Sequence, residues 1–180
     1  FSIDVDSNIQ TSPSFLDYQN SCYIFFGNNN GMLYGIDYYG NLLPSFPIDI
    51  SSNIVKSVVF SDLDSDDIPE LIFGTESGLM YAMHIDGSMY NQMPIQYPFS
   101  YYSAPLIYDL DNDSDLEIIA GTSLSINAFD IKQQGNHLNY WSMFRGNNMR
   151  SGFHAFTPLC EYGDINTDGN IDILDVLEQI

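Results

Sequence analysis

Two nine-residue segments, 62–70 and 109–117, carry carboxylates at positions 1, 3, 5 and 9, directly before a short apolar run. Calcium prefers about six to eight oxygen ligands from carboxylates, carbonyls and water, and alternate spacing in a tight loop supplies them. We therefore predict one calcium ion in each segment, the alternative being a solvated turn, because Asp favours turns. The predicted ligands are Asp62, Asp64, Asp66, the carbonyl of Ile68 and Glu70 in the first loop, and Asp109, Asp111, Asp113, Asp115 and Glu117 in the second.

A third acidic segment, 164–175, has the twelve-residue spacing of an EF-hand loop. It carries oxygen ligands at positions 1, 3, 5, 9 and 12, a carbonyl at position 7 and the turn-forming Gly169 at position 6. The predicted ligands are Asp164, Asn166, Asp168, Asn170, Asp172 and Asp175. Apolar residues then recur at helical spacing from Ile173 to Ile180, which predicts an exit helix.

The two nine-residue loops belong to a repeat of 47 residues that occurs three times. Phe-Gly or Ala-Gly pairs lie at 26–27, 73–74 and 120–121, and they divide the chain into units of about 8–54, 55–101 and 102–148. The first unit is about two residues shorter at 17–23 and lacks the acidic series, so no ion is expected there.

Within each unit the apolar runs are short, rich in β-branched and aromatic residues, and separated by Gly, Asn, Asp and Pro. Such runs predict antiparallel strands joined by tight hairpins, for example at 27–31 and 74–78. Units of this length with about four strands are typical of β-propeller blades. The fold class is therefore mainly β: three four-stranded blades of a partial propeller at 1–150, a linker at 151–162, and an EF-hand-like loop-helix at 163–180.

The Asp-rich loops, the Phe-Gly that follows each loop and the Ala-Pro or Ser-Pro that precedes it resemble FG-GAP (VCBS-like) repeats of integrin-type propellers. The usual glycine after the third Asp is replaced by Asp67 and Ser114. The resemblance covers about residues 8–150. It implies an extracellular, calcium-binding domain with adhesion, carbohydrate-associated or scaffolding roles.

The terminal loop lacks room for an entering helix and therefore resembles a dockerin repeat, over about residues 162–180. Dockerins pair two such repeats and bind a cohesin domain, whereas only one repeat is present here. Loop positions 10 and 11 are Ile173 and Leu174 rather than Ser or Thr, so a cohesin-like partner is not favoured. We expect this apolar pair to pack against a second repeat or a neighbouring domain.

Composition limits the partners. The 180 residues carry 24 Asp and Glu against four Lys and Arg, a net charge of −20, which excludes nucleic-acid binding and attraction to anionic membranes. No apolar run is long enough for a membrane helix. The chain starts at Phe1 and reaches Ile180 within a helical pattern, so we expect a fragment of a longer protein.

Single residues with reactive side chains are expected to be structural. Cys22 lies in an apolar run and is expected to be a buried thiol, and His84 lies within a strand pattern. The segment around Trp141 is expected to form a final strand or a cap that covers the last blade, with a ligand site as the less favoured alternative. The tyrosines at 38, 39, 97, 101 and 102 are expected in the core or in hairpins, with a sugar-stacking platform as the alternative.

No catalytic motif is present in the sequence, so no catalytic residue is assigned. We predict a calcium-binding, non-catalytic binding or scaffolding segment of a secreted, bacterial-type multidomain protein, with about three calcium ions and an extracellular protein or polysaccharide as partner. The alternative is an ancillary or propeller portion of an extracellular polysaccharide-degrading hydrolase or lyase with a dockerin module.

Overall fold

The structure is a computed structural model that describes residues 1–138 and 140–146, and within these residues the chain forms eleven β-strands in three antiparallel sheets. The first sheet contains β1 (Ser14–Tyr18), β2 (Ser21–Gly27), β3 (Met32–Asp37) and β4 (Ile48–Asp49) in sequential order. The second contains β5 (Val59–Ser61), β6 (Glu70–Gly74), β7 (Leu79–His84) and β8 (Ile95–Gln96). The third contains β9 (Leu106–Tyr108), β10 (Asp115–Gly121) and β11 (Ile126–Gln134).

The prediction of antiparallel β-sheets is confirmed, with one correction. The first two sheets have four strands, but the third has three within the described residues, because the chain after β11 does not turn back to pair with it. The linker at 151–162 and the loop-helix at 163–180 lie outside the described residues. None of the described residues forms a helix that is long and apolar enough to cross a membrane.

In the second hairpin of each sheet, a side-chain oxygen accepts a hydrogen bond from a backbone amide. The three accepting residues lie 47 residues apart. The side chain of Asn28 accepts a hydrogen bond from the amide of Met32 at 2.9 Å. Thr75 Oγ1 accepts the corresponding amide of Leu79 at 3.1 Å, and Thr122 Oγ1 accepts the amide of Ser125 at 3.0 Å. These bonds satisfy backbone donors that the tight turns leave unpaired, which explains why short polar residues recur here.

The sheets pack face to face through two apolar clusters. Phe25 of the first sheet lies against Phe60 of the second, with ring centroids 5.6 Å apart. Between the second and third sheets, Ile72 and Met80 pack in one cluster with Ile107. Burial of these side chains supplies the main stabilisation of the fold.

In the first two units, the glycine of the Phe-Gly pair lies close to the last residue of its own unit. A Cβ on Gly27 would lie 2.6 Å from Cβ of Ile54, and a Cβ on Gly74 would lie 2.8 Å from Cβ of Tyr101. Both distances are shorter than carbon atoms tolerate. At Gly121 the nearest atom is Oγ of Ser103, at 3.3 Å, so this third position is more open.

The outer face of the third sheet is less covered than the equivalent face of the second sheet. We define this outer face by five residues: Leu106, Tyr108, Ile119, Ile126 and Ala128. Ile126 is 77% exposed and Tyr108 is 43% exposed. The equivalent residues of the second sheet are fully buried beneath the third: Val59, Ser61, Ile72, Met80 and Ala82.

Residues 140–146 lie against the first strands of the second and third sheets. The amide of Phe60 in β5 donates to the carbonyl of Trp141 at 2.9 Å, and the amide of Ile107 in β9 donates to the carbonyl of Ser142 at 2.9 Å. Trp141 also packs against the core between the first two sheets. The predicted cap on the last blade is therefore corrected: the segment joins two strand edges rather than covering one sheet.

The prediction that Cys22 is a buried thiol is correct for its burial and wrong for the state of its sulfur. The residue is buried in β2, with 2% of its surface exposed, but it is disulfide-bonded. An apolar sequence context predicts burial and carries no information on whether a second sulfur approaches in the fold. The only other cysteine in the sequence, Cys160, lies outside the described residues.

Candidate metal centre

The first acidic loop folds around the carboxylate of Asp62, which is 1% exposed and directly follows β5. Its Oδ1 accepts the amides of Asp64 and Asp66 at 3.3 and 3.2 Å. Its Oδ2 accepts the amide of Asp67 at 3.0 Å. These hydrogen bonds hold the loop in a tight turn around Asp62 and bring the neighbouring carboxylates together.

The second acidic loop has the same arrangement around Asp109. Oδ1 of Asp109 accepts the amide of Asn112 at 2.7 Å, and Oδ2 accepts the amide of Ser114 at 3.2 Å. Positions 4 and 6 adopt positive φ in both loops: 57° and 64° at Ser65 and Asp67, and 62° and 79° at Asn112 and Ser114. Position 6 is where FG-GAP-like sequences usually have glycine, and a left-handed conformation explains that preference.

Each loop gathers three carboxylates whose oxygen atoms lie within 4.8 Å of one another and can hold a metal ion. In the first loop these are Asp62, Asp64 and Asp66. In the second they are Asp109, Asp111 and Glu117. The two groups share positions 1 and 3 and differ in the third member, which is position 5 in one loop and position 9 in the other.

The glutamate at position 9 ties each loop to the strand that follows it. Oε2 of Glu70 accepts the amide of Leu63 at 2.7 Å, and Oε2 of Glu117 accepts the amide of Leu110 at 2.6 Å. Glu70 has no exposed surface, and Glu117 is 6% exposed. The position-9 carboxylate is thus a loop-closing acceptor as well as a candidate ligand.

The remaining predicted ligands lie outside these two groups. Oδ1 of Asp66 accepts the amide of Ile68 at 2.8 Å, which orders the backbone at position 7. Oδ1 of Asp113 accepts the amide of Asp115 at 3.1 Å, and Lys132 Nζ lies 4.0 Å from Asp115. The six predicted ligands of the terminal loop, between Asp164 and Asp175, lie outside the described residues.

Two buried carboxylate oxygens of the first loop accept no hydrogen bond from the residues that the structure describes: Oδ1 of Asp64 and Oε1 of Glu70. Oε1 of Glu70 lies 3.0 Å from Nδ1 of His84, an ion-pair distance, but accepts no hydrogen bond. Buried acceptors without partners are costly. An all-oxygen donor set with an unpaired buried carboxylate oxygen on Asp64 fits a hard cation, which prefers oxygen ligands.

The electrostatics of the first loop also favour a positive charge. Burial, together with the charges of Asp64, Asp62 and Asp66, raises the pKa of Glu70 to about 8. Burial and the charges of Asp66 and Asp62 raise the pKa of Asp64. Both shifts mean that the ionised forms are disfavoured when the carboxylates face one another without a cation.

The second loop is more exposed and contains a different balance of charges. The hydrogen bond between Asp113 and Asp115 lowers the pKa of Asp113 and raises that of Asp115. Lys132 forms an ion pair with Asp130 in β11, close to the same loop. Asp109 and Asp111 nevertheless form part of a carboxylate group, as Asp62 and Asp64 do in the first loop.

Sequence reasoning missed the residues that support the first loop from distant parts of the chain. His84 reaches Glu70 from β7. Asn136, which follows β11, exchanges backbone hydrogen bonds with Asp62 at 2.7 and 3.0 Å. No local motif marks either residue, since the pairing depends on how the sheets come together.

The equivalent position in the first sheet holds a two-residue turn, Gln19-Asn20, in which both residues have positive φ. The turn joins β1 directly to β2 and contains no acidic residue. The sequence difference at 17–23 thus replaces the acidic loop by a tight hairpin.

No protein-family model matches this chain, and no curated protein is significantly similar to it. The geometry of the two loops therefore carries the functional argument.

Proposed function

We propose that the chain is a calcium-binding, non-catalytic binding or scaffolding segment of a secreted multidomain protein. The observation that carries the proposal is the repeated loop, in which a position-1 aspartate, a position-3 aspartate and a buried position-9 glutamate recur 47 residues apart. A solvated turn does not require the buried, unpaired oxygen of Asp64 or a position-9 glutamate with no exposed surface. Calcium would neutralise these carboxylates and fix the entry to β6 and β10.

Calcium is favoured over magnesium by the donor set. The ligands are carboxylates on a compact loop, with backbone carbonyls able to complete the shell. Calcium accepts six to eight such ligands in variable geometry, whereas magnesium requires a near-octahedral shell and retains water. A third ion is proposed in the terminal loop at 164–175, on the sequence alone.

The three sheets are proposed to be blades of a propeller of the FG-GAP-like kind. Successive sheets pack through equivalent faces, and an arc of three cannot close, since propellers have about four to eight blades. The outer face of the third sheet supports this proposal, because its apolar residues occupy positions that are buried in the second sheet. A further blade packed against Ile119 and Ile126 would complete the same interface.

An extracellular location is proposed from the metal chemistry and from Cys22. Calcium near the millimolar range saturates sites with dissociation constants of about 10⁻⁴ M. The disulfide at Cys22 is typical of proteins in oxidising compartments. The strongly acidic chain excludes a nucleic acid as partner, and an extracellular protein or polysaccharide remains the proposed ligand class.

One observation favours the second candidate, an ancillary portion of a polysaccharide-degrading enzyme. Tyr38 and Tyr39 lie in the turn after β3 with ring centroids 3.9 Å apart, and they are 46% and 65% exposed. Exposed aromatic rings can stack against sugars. Tyr101 is fully buried and belongs to the core, so it cannot form part of such a platform.

Calorimetric titration of the metal-free chain with calcium and, separately, with magnesium tests the proposal. We expect calcium to bind at two loop sites that Asp64→Ala and Asp111→Ala remove one at a time, with magnesium binding more weakly. Asp49→Asn is the matched control, since Asp49 is an exposed acid at the end of β4 that accepts from Ser51 and lies outside both acidic loops. Equal calcium binding by the wild type and both loop variants would refute the proposal.

A further inference from the structure

A groove of about 250 Å³ opens between the first and second sheets, apart from the carboxylate groups of the acidic loops. Its walls come from the β1–β2 hairpin, from the chain after β3 and from the turn after β7. The lining residues are Tyr18, Gln19, Tyr23, Leu43, Pro44, Ser45, Ile85 and Asp86. Four of them, Tyr18, Tyr23, Leu43 and Ile85, also pack against the core between the two sheets, so the groove has a firm apolar base.

The described residues that line the groove carry a negative charge. Among the described residues, Asp86 is the only charged one that lines the groove, and no Lys or Arg of this part of the chain lines it. The backbone amide and hydroxyl of Ser88 donate to Oδ1 of Asp86 at 2.8 and 2.6 Å. These hydrogen bonds lower the pKa of Asp86, so the carboxylate keeps its charge well into the acidic range.

Tyr18 presents a neutral aromatic ring to the groove. Burial, followed by nearby negative charges that include Asp66 and Asp67, raises the pKa of Tyr18. Its hydroxyl accepts a hydrogen bond from Nε2 of Gln19 at 2.8 Å, which orders the side chain at the rim of the groove. Neutral aromatic rings beside a carboxylate attract a cation through the ring quadrupole and through direct charge.

We propose that this groove binds an alkylammonium group, with Tyr18 and Tyr23 contacting its carbon atoms and Asp86 compensating its charge. The negative field excludes carboxylate, sulfate and phosphate ligands. The volume lies below the roughly 300–1,000 Å³ of sites for drug-sized molecules, which limits the occupant to a small head group or one side chain. A lysine side chain and a choline-like quaternary ammonium share this chemistry.

The equivalent groove between the second and third sheets is not built in the same way. It measures about 80 Å³ and is lined by Tyr90, Met93 and Asp130 among others. Tyr90 is buried and its hydroxyl donates to Gln133 at 3.2 Å, and Asp130 is paired with Lys132. The carboxylate there is already compensated, so the proposed site is specific to the first pair of sheets.

The difference follows from the short hairpin of the first unit. Gln19-Asn20 replaces the nine-residue acidic loop, so Tyr18 and Tyr23 border an opening instead of a folded loop.

Titration of the full chain with choline chloride, observed by NMR of the tyrosine rings, tests the proposal in calcium-containing buffer. N-acetyl-lysine methylamide forms a second arm that represents a protein side chain. The neutral carbon isostere of choline, 3,3-dimethylbutan-1-ol, is the ligand control. We expect both cations to shift Tyr18 and Tyr23, and the isostere to bind about five- to tenfold more weakly.

Asp86→Asn should weaken choline binding about tenfold, because Asn keeps the acceptor for Ser88 and loses only the charge. Asp49→Asn is the matched control, since Asp49 accepts from Ser51 in the same way and lies outside the groove. Tyr23→Phe should retain binding, and Tyr23→Leu should lose most of it. Equal affinity for choline and its isostere, or unchanged binding in Asp86→Asn, would overturn the proposal; preference for one cation would identify the source of the group.

Discussion

Oε2 of Glu70 accepts the backbone amide of Leu63 at 2.7 Å, so the last residue of the first acidic loop is hydrogen-bonded to its second residue. Glu117 and Leu110 repeat this relationship at 2.6 Å in the second loop. The bond places a buried carboxylate beside the aspartates of its own loop. Because these carboxylates repel one another, a bound cation stabilises the loop.

Removing the position-3 aspartates should destabilise the chain in calcium. We expect Asp64→Ala combined with Asp111→Ala to lower the free energy of unfolding in millimolar calcium by about 3 kcal/mol, since each site contributes about 1.4 kcal/mol when calcium is about ten times its dissociation constant. Urea unfolding with and without EDTA measures the effect. Asp4→Ala combined with Asp49→Asn removes two charges outside the loops and should change the calcium-dependent part little. An unchanged midpoint in the double loop variant would exclude structural metal.

The raised pKa of Glu70 should make metal-free stability depend on pH. The folded state holds a proton on Glu70 up to about pH 8, whereas the unfolded chain releases it near 4.5, so folded protein binds more protons in this window. Stability without metal should therefore fall as pH rises from about 5 to 8, and saturating calcium should reduce the fall.

Glu70→Gln is the matched variant for this experiment, because its amide oxygen can still accept the amide of Leu63. We expect its metal-free stability to vary less between pH 5 and 8, measured by thermal unfolding in EDTA. A wild-type profile with the same slope as that of Glu70→Gln would show that the carboxyl is already ionised in the folded state.

Replacing the glycine of the repeated pair by alanine should destabilise the chain more in the second unit than in the third. Gly74→Ala would place a Cβ 2.8 Å from Cβ of Tyr101, so we expect a loss of about 1–3 kcal/mol in unfolding free energy. Gly121→Ala meets only the hydroxyl of Ser103 and should cost clearly less. Equal losses in chemical denaturation would mean that Gly121 is packed as tightly as Gly74.

The positive φ at position 6 of each loop should favour glycine. Ser114 has a φ of 79°, so Ser114→Gly should stabilise the chain by about 0.5–1 kcal/mol, whereas Ser114→Val should destabilise it. Thermal unfolding in calcium measures both. Destabilisation by glycine equal to that by valine would contradict a left-handed conformation at this position.

The repeat made much of this architecture predictable. A spacing of 47 residues, short β-branched runs and turns such as Gly74–Gly78 predicted antiparallel sheets, because these features are local. The carboxylate groups around Asp62 and Asp109 were predictable for the same reason, since alternate spacing in one loop determines which side chains can meet.

Features that depend on long-range packing were not predictable. Nothing near His84 or Asn136 in the sequence indicates that they meet the first loop, and nothing near Trp141 indicates that its carbonyl accepts the amide of Phe60. Within the described residues, the third sheet has three strands because the chain after β11 does not pair with it. The composition of the chain does not indicate this difference from the other two sheets. The disulfide at Cys22 requires a second sulfur whose approach is set by the fold.

Native mass spectrometry of the full chain, in calcium and after EDTA, tests the central claim most directly. We expect three bound calcium ions in the wild type, two in Asp64→Ala, and one in Asp64→Ala combined with Asp111→Ala, with the losses accompanied by lower thermal stability. A wild type that binds one ion or none, or a double variant that retains all of them, would contradict the assignment of the two loops as calcium sites.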